Sequence, residues 1–301
     1  MGLGGKITIV SVSDNHYVVL LVALLKSIEI NHKSGEPIDF YIVEDSISES
    51  NKRKTKDSLN KNIITIHWIS LSEAIPSNIL LPLDRSSYPL NIYVRLWIPE
   101  FIPANINKVI YLDVDMLVIE DISKLWQTDI GNKAIAAVKD RPEVNLANWE
   151  RIKNFKELGL TANLEYFNSG LLILNLNEWR KHDYTKKIIQ CIKDNIEFAD
   201  FPDQYGLNVI FANQWFKLSP LWNCHASSKE KNPNLIHFSS RKPIYRSYNN
   251  NKYYQEVFDG YLAQTSWGDH KPISEYKRLL KKLYNKFEKY LLYINTVKNH
   301  D

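Results

Sequence analysis

Asp113 and Asp115 stand two residues apart within Lys108 to Ile119, an apolar run that reads as a buried strand. Two carboxylates in such a run are costly to bury without a counter-charge, so a cation must lie nearby. Hard oxygen ligands at this spacing, offered where the strand breaks into a loop, suit Mg2+ or Mn2+ bridging to phosphates. The same pair would equally serve to mark a strand end and a turn. Other polar groups sit at strand ends in the same way. Asp14 lies in Ser13-Asp14-Asn15-His16, Asp140 follows the strand-like Ile135 to Lys139, and Asn168-Ser169-Gly170 offers small residues where backbone can approach a ligand closely. Arg95 has apolar neighbours and must either snorkel outward or pair with an anion. Asp14 and Asp203 would each also serve as an ordinary helix cap.

The chain that must position these groups has 301 residues, 44% hydrophobic and 24% charged, enough for one large α/β domain or two small ones. Cys191 and Cys224 supply neither a disulfide framework nor a metal-ligand spacing, and read as core thiols in a reducing compartment. Met1 to Lys6 leads straight into a strand-like segment with no signal peptide, and Lys6 stands where myristoylation wants Ser or Thr. The apolar run Tyr17 to Leu25 is about half a membrane span. A cytoplasmic protein is expected. Its net charge of +4 is unevenly spread, because residues 271–301 carry eight Lys/Arg against three Asp/Glu. The body is therefore near neutral, and with no RNA- or DNA-binding motif it argues against a nucleic-acid partner.

Strand and helix patterns alternate. Strands are expected at 6–12, 38–43, 63–69, 108–119, 135–140 and 167–176; helices at 17–31, 46–60, 178–197 and from Asp203 onward. A further helix should follow Pro89 and end before Pro99, and residues 141–164 read as a loop with a helix beside the site. The alternation predicts a mostly parallel sheet, with ligands at the carboxyl ends of its strands.

In order along the chain come Ser13-Asp14, Tyr93-x-Arg95-Leu96, Tyr111-Leu112-Asp113-x-Asp115, Leu125-Trp126, Asp140, Phe167 to Asn175, Asp203-Gln204, and His237-Phe238 followed by Lys242-Pro243. This ordered set resembles glycosyltransferase family 8, the retaining nucleotide-sugar enzymes, over roughly residues 6–245. The resemblance implies an α/β fold of GT-A type: a mostly parallel central sheet flanked by helices over residues 1–262, then a basic amphipathic helical tail over 263–301. It implies a hexosyltransferase moving galactose or glucose from a UDP-sugar to a glycan or glycolipid hydroxyl, with Mn2+ (or Mg2+) held by Asp113, Asp115 and His237. A lone His237 would otherwise read as a satisfied core histidine. Asp14, His16, Arg95, Tyr93, Val114, Asn168, Ser169 and Lys242 take substrate-binding places, and Gln204, Asp203 and Asp140 catalytic ones. Gln204 faces the anomeric carbon by this resemblance. An amide is a poor nucleophile, so front-face attack is favoured over a glycosyl-enzyme. The chain departs from the family pattern at His16, where Asn is usual, at Tyr205, where a third acidic residue is usual, and at Ser240 and Ile244 in a closing motif one residue short.

Two other classes share part of this pattern. Haloacid-dehalogenase phosphatases also place Asp-x-Asp after an apolar strand, but near the N-terminus and with Thr or Val where Leu117 stands here. A non-catalytic nucleotide-sugar or carbohydrate-binding protein on the same fold would lack turnover. In the tail, Tyr276, Leu279, Leu280, Leu283, Phe287, Tyr290 and Leu291 recur at helical spacing, opposite Arg278, Lys282, Asn285 and Lys289. Residues 271–293 are thus expected to meet an anionic membrane, at its inner face, as a peripheral helix. The same stripe would also suit docking on the catalytic domain or on a second subunit.

Overall fold

A computed structural model describes residues 5–76, 79–84, 88–141 and 152–298. Its elements, in chain order, open with β1 (Ile7–Asp14), α1 (Val18–Asn31), β2 (Ile38–Asp45), α2 (Glu49–Asp57), β3 (Ile64–Ser70) and α3 (Leu71–Ala74). A 3-10 turn (Leu90–Tyr93) then leads into α4 (Val94–Phe101), β4 (Lys108–Leu112), β5 (Met116–Val118), α5 (Ile122–Trp126) and β6 (Ile135–Lys139). Next are β7 (Phe167–Asn175), α6 (Leu176–Lys181), α7 (Tyr184–Asp194), α8 (Pro202–Ile210) and β8 (Phe216–Lys217). The last elements are β9 (Cys224–His225), β10 (Leu235–His237), α9 (Lys252–Leu262) and α10 (Glu275–Lys298).

Seven strands form the main sheet in the order β3-β2-β1-β4-β7-β6-β8, and only β7 runs against its neighbours. β1 is buried along its whole length, as a central parallel strand must be, although Thr8, Ser11, Ser13 and Asp14 are polar. α1 is buried from Val18 to Ile28 and covers one face together with α9. The other face is covered by α4, α6, α7 and α8. Because β1, β4 and β6 run one way and β7 the other, the ends of the first three and the start of β7 fall on one edge. Asp14, Asp113, Asp140 and Asn168 are therefore gathered at that edge by topology alone.

The run Lys108 to Ile119 is two strands. β4 stays in the main sheet and β5 crosses to a three-stranded sheet, β5-β10-β9, with Asp113, Val114 and Asp115 in the turn between them. That crossover places β10, and so His237, beside Met116.

Two further expectations need correction. The segment 178–197 is not one helix: α6 and α7 are split at Asp183, which adopts φ 51°, and a 3-10 turn, Ile196–Phe198, follows. The helix after Pro89 starts late, at Val94, and continues through Pro99 to Phe101. Its end is held by the Arg180 guanidinium, which donates to the carbonyls of Pro99 at 3.1 Å and Ile102 at 3.2 Å, so cationic capping offsets the bond that proline removes. Residues 152–164 are turns, and 142–151, the rest of the segment where a loop and a helix are expected, lie outside the described residues. Among the described residues, no helix is long and apolar enough to cross a membrane.

Candidate active site

The edge opens into a cleft of about 740 Å3 whose lining includes Asp14, Arg95, Asp113, Asp115, Gln204 and His237. Asp113 is pinned by its backbone, N–H to the Gly170 carbonyl at 2.8 Å, and Asp115 by its carbonyl, which accepts from Phe238 N at 2.8 Å. Ligand atoms of Asp113, Asp115 and His237 all lie within 4.8 Å of one another. A methyl group built on Gly170 would stand 2.7 Å from His237 Cε1 and 2.8 Å from Asp113 Oδ2. Glycine is needed there for the close approach of these two side chains.

The counter-charge demanded by the paired carboxylates is supplied from both sides. Arg95, 6% exposed, donates to Asp113 Oδ1 at 2.9 Å, to the Ser169 carbonyl at 2.7 Å and to Ser169 Oγ at 3.0 Å, and its Nε meets Asp203 Oδ2 at 3.1 Å. Of the two expected options, it pairs with anions rather than snorkelling. Lys242 pairs with Asp115 and also donates to the Phe238 carbonyl at 2.8 Å. Burial would raise both carboxyls. For Asp115 the charges of Lys242 and His237 win and hold it below the usual carboxylate range, whereas for Asp113 burial prevails over Arg95 and the neighbouring Asp115 adds to the rise. The two acids thus sit in different electrostatic states before any ligand arrives.

Gln204 and Asp203 come from the first turn of α8. Asp203 is not its cap: Phe201 holds that position, and the Asp203 carboxylate turns to Arg95 and to Ser169 Oγ at 3.1 Å. Gln204 Oε1 accepts from Ser169 N at 2.9 Å and from Asn168 Nδ2 at 3.3 Å. Asp14 does serve as a turn cap, its Oδ1 accepting from the backbone N–H groups of His16 and Tyr17 at 3.0 Å each. Its other oxygen is 2.7 Å from Lys281 Nζ of α10. Val114, Asp140, Asn168, Ser169 and Lys242 also line the cleft.

Two residues expected at the substrate do not line it. Tyr93 is fully buried beneath, its hydroxyl donating to the Pro82 carbonyl at 2.9 Å, because the helix carrying it turns Arg95 rather than Tyr93 toward the cleft. His16 turns to Tyr245 Oη at 2.9 Å, and Tyr17 takes the lining position instead. Tyr205 explains its own departure from the acidic pattern: it is buried away from the cleft, donating to Asn154 Oδ1 at 2.8 Å.

Other residues at the site carry no signal in spacing or type. Asn223 Oδ1 accepts from His237 Nδ1 at 2.9 Å, which turns Nε2 toward the carboxylates, while Asn223 Nδ2 donates to Asn168 Oδ1 at 2.9 Å. His225 lines the cleft between Ser227 and Ser239. Burial, then the cations Arg141, His237 and Lys242, bring its pKa down to about 4. From α10 come Arg278, Lys281 and Lys282.

The sequence matches the model of Glycosyl transferase family 8 across residues 8–247. General stress protein A of Bacillus subtilis (strain 168) is 29% identical over 280 residues, 86% of this chain and 94% of that protein. A putative glycosyltransferase of Haemophilus influenzae is 31% identical over 214 residues, 69% of this chain and 62% of that one. Among solved structures, the galactosyltransferase LgtC in complex with donor and acceptor sugar analogs superposes with a TM-score of 0.70 at 24% identity, covering 86% of this chain and 96% of that one. This last likeness is one of fold, the GT-A arrangement of a mostly parallel sheet between helices.

Proposed function

From the chain's membership of glycosyltransferase family 8, we propose that it transfers a hexose, galactose or glucose, from a UDP-sugar to a hydroxyl of a glycan or glycolipid, retaining the anomeric configuration. The observation that carries the reading is the convergence of Asp113, Asp115 and His237 within 4.8 Å at one sheet edge. Two carboxylates and one imidazole fit a hard divalent ion such as Mn2+ or Mg2+, with positions left for phosphate oxygens. When bound, that ion supplies positive charge for the departing diphosphate. Lys242, a flexible point charge already in the cleft, is placed to turn from Asp115 to the pyrophosphate.

Retention through a glycosyl-enzyme needs a free carboxylate against the anomeric carbon. Gln204 is an amide whose oxygen is spent on Ser169 and Asn168, and Asp203 is paired with Arg95. Front-face attack fits these residues better: the acceptor oxygen bonds the anomeric carbon on the face that the diphosphate leaves, and the acceptor proton passes to the leaving diphosphate. Gln204, Asp140 and Asn168 then orient the sugar.

Residues 1–262 serve in this reading as the catalytic domain and 263–301 as a tail that meets anionic membrane from the cytoplasmic side. Support comes from α10, whose stripe of Tyr276, Leu279, Leu283, Phe287 and Tyr290 is exposed. A panel of UDP-sugars, assayed for hydrolysis and transfer with Mn2+ and with chelator, tests the proposal. Chelator-sensitive turnover of a UDP-hexose is expected. Binding without turnover would favour the non-catalytic alternative, and hydrolysis of simple phosphate esters the phosphatase one, which family membership disfavours.

A further inference from the structure

α10 is docked the wrong way round for a core helix. A helix that belongs to a core turns its apolar stripe inward. Here Tyr276, Leu283, Phe287 and Tyr290 are 70%, 64%, 58% and 59% exposed, while Arg278, Lys281, Lys282 and Asn285 of the opposite side line the donor cleft. What attaches the helix is polar. Lys281 Nζ lies 2.7 Å from Asp14 Oδ2, Lys289 Nζ 2.8 Å from Asp84 Oδ2, and Arg241 pairs with Glu275 at 3.3 Å. The Arg241–Glu275 pair is partly exposed and so weak and screened by salt, whereas Lys289–Asp84 is buried and anchors the helix beyond the cleft. The docked helix also crowds its own cations against Arg241 and Lys242, and burial together with Arg278 and Arg241 lowers the pKa of Lys282. Over the cleft, the attachment thus rests on charge rather than on an apolar seam.

Its position matters because of what it covers. Asp14 Oδ1 is committed to the turn before α1, Oδ2 lies against the Lys281 ammonium without a well-aligned hydrogen bond, and Asp14 is 5% exposed where it lines the cleft. We propose that α10 is an autoinhibitory latch: Lys281 and the donor compete for the Asp14 carboxylate, so donor enters only when the helix has lifted. This rests on the reading of the cleft as a UDP-sugar site. The exposed stripe is then the handle by which an apolar or lipid surface holds the lifted helix, since the basic side chains become available to anionic headgroups only after they leave the cleft.

The test compares UDP binding, by calorimetry with Mn2+ present, in the full chain, in Lys281→Ala, and in the chain truncated after His270. If the latch is open in about one molecule in ten, Lys281→Ala and the truncation should each lower the UDP Kd by up to about tenfold, because the competent fraction divides the apparent affinity. Hydrogen exchange over 275–292 in the full chain should rise when UDP and Mn2+ are added. A UDP Kd unchanged or weaker in Lys281→Ala, or protection of 275–292 on adding UDP, would overturn the latch and make α10 a wall of the site. Lys281→Ala keeps the whole chain, so the comparison stands even where the truncation fails to fold. Absence of UDP binding in all three proteins would overturn the donor reading and the latch together, whereas equal binding would overturn the latch alone.

Discussion

His237 donates its Nδ1–H to Asn223 Oδ1 across 2.9 Å, and this bond decides which ring nitrogen faces Asp113 and Asp115. Partners of this kind fix the tautomer and orientation of a metal-binding imidazole, and losing one costs about 10- to 100-fold in metal affinity. Asn223→Leu should weaken Mn2+ binding by about that factor, while Asn223→Asp, which keeps the acceptor, should largely restore it. Titration of Mn2+ followed by electron paramagnetic resonance reads the difference. Equal affinity in Asn223→Leu and the parent would show that Asn223 does not orient the ligand.

Gly170 gives a sharper steric test. The three nearest atoms to an added methyl, on His237, Asp113 and Met116, are at 2.7, 2.8 and 2.9 Å, all closer than real contacts allow. Two of the three belong to the proposed ligand set, so Gly170→Ala should spread it. Strain of about 1–3 kcal/mol in urea unfolding is expected, together with loss of most Mn2+ binding in a chain that still folds. A variant that bound Mn2+ as before would mean that the close approach is incidental.

Much of this was legible in the sequence, and the reason is geometric. The order of strand ends fixes which carboxylates share an edge, so Asp14, Asp113 and Asp140 could be placed together, and the resemblance to family 8 is borne out by the match across residues 8–247. Other features were not legible, because they depend on contacts between distant segments. Asn223 reaches His237 only because β10 crosses to β5, and nothing about a lone asparagine announces that. Tyr93 and Arg95 are two residues apart, and which of them faces the cleft depends on where the 3-10 turn gives way to α4. In the tail, periodicity reveals a stripe but not which side of the helix docks, and the basic side does.

His225 gives the molecule a pH-dependent stability. Its folded pKa of about 4, below the ordinary value, means that the unfolded chain binds a proton that the folded one refuses. The contribution is full above the unfolded value of about 6.5 and is lost as pH falls toward about 4. The melting temperature should therefore drop between pH 6.5 and 4, and His225→Gln should flatten part of that slope. His16, lowered mainly by burial, supplies a further part. A calorimetric slope identical in parent and variant would remove His225 from the account.

Vesicle sedimentation tests the tail. The full chain should sediment with anionic vesicles and release as salt is raised, because each lysine near such a surface contributes on the order of 1 kcal/mol and is screened. The chain truncated after His270 should stay in solution. A full chain that ignores the vesicles would assign the outward stripe to a second subunit instead.

The most direct measurement is the anomeric proton of the product, followed by NMR as a UDP-hexose is turned over with Mn2+ and a soluble glycan acceptor. The α configuration of the donor should be kept, the signal should vanish in Asp115→Asn, and Gln204→Ala should slow its appearance without stopping it. A β product, or undiminished turnover in Asp115→Asn, would contradict the proposed function.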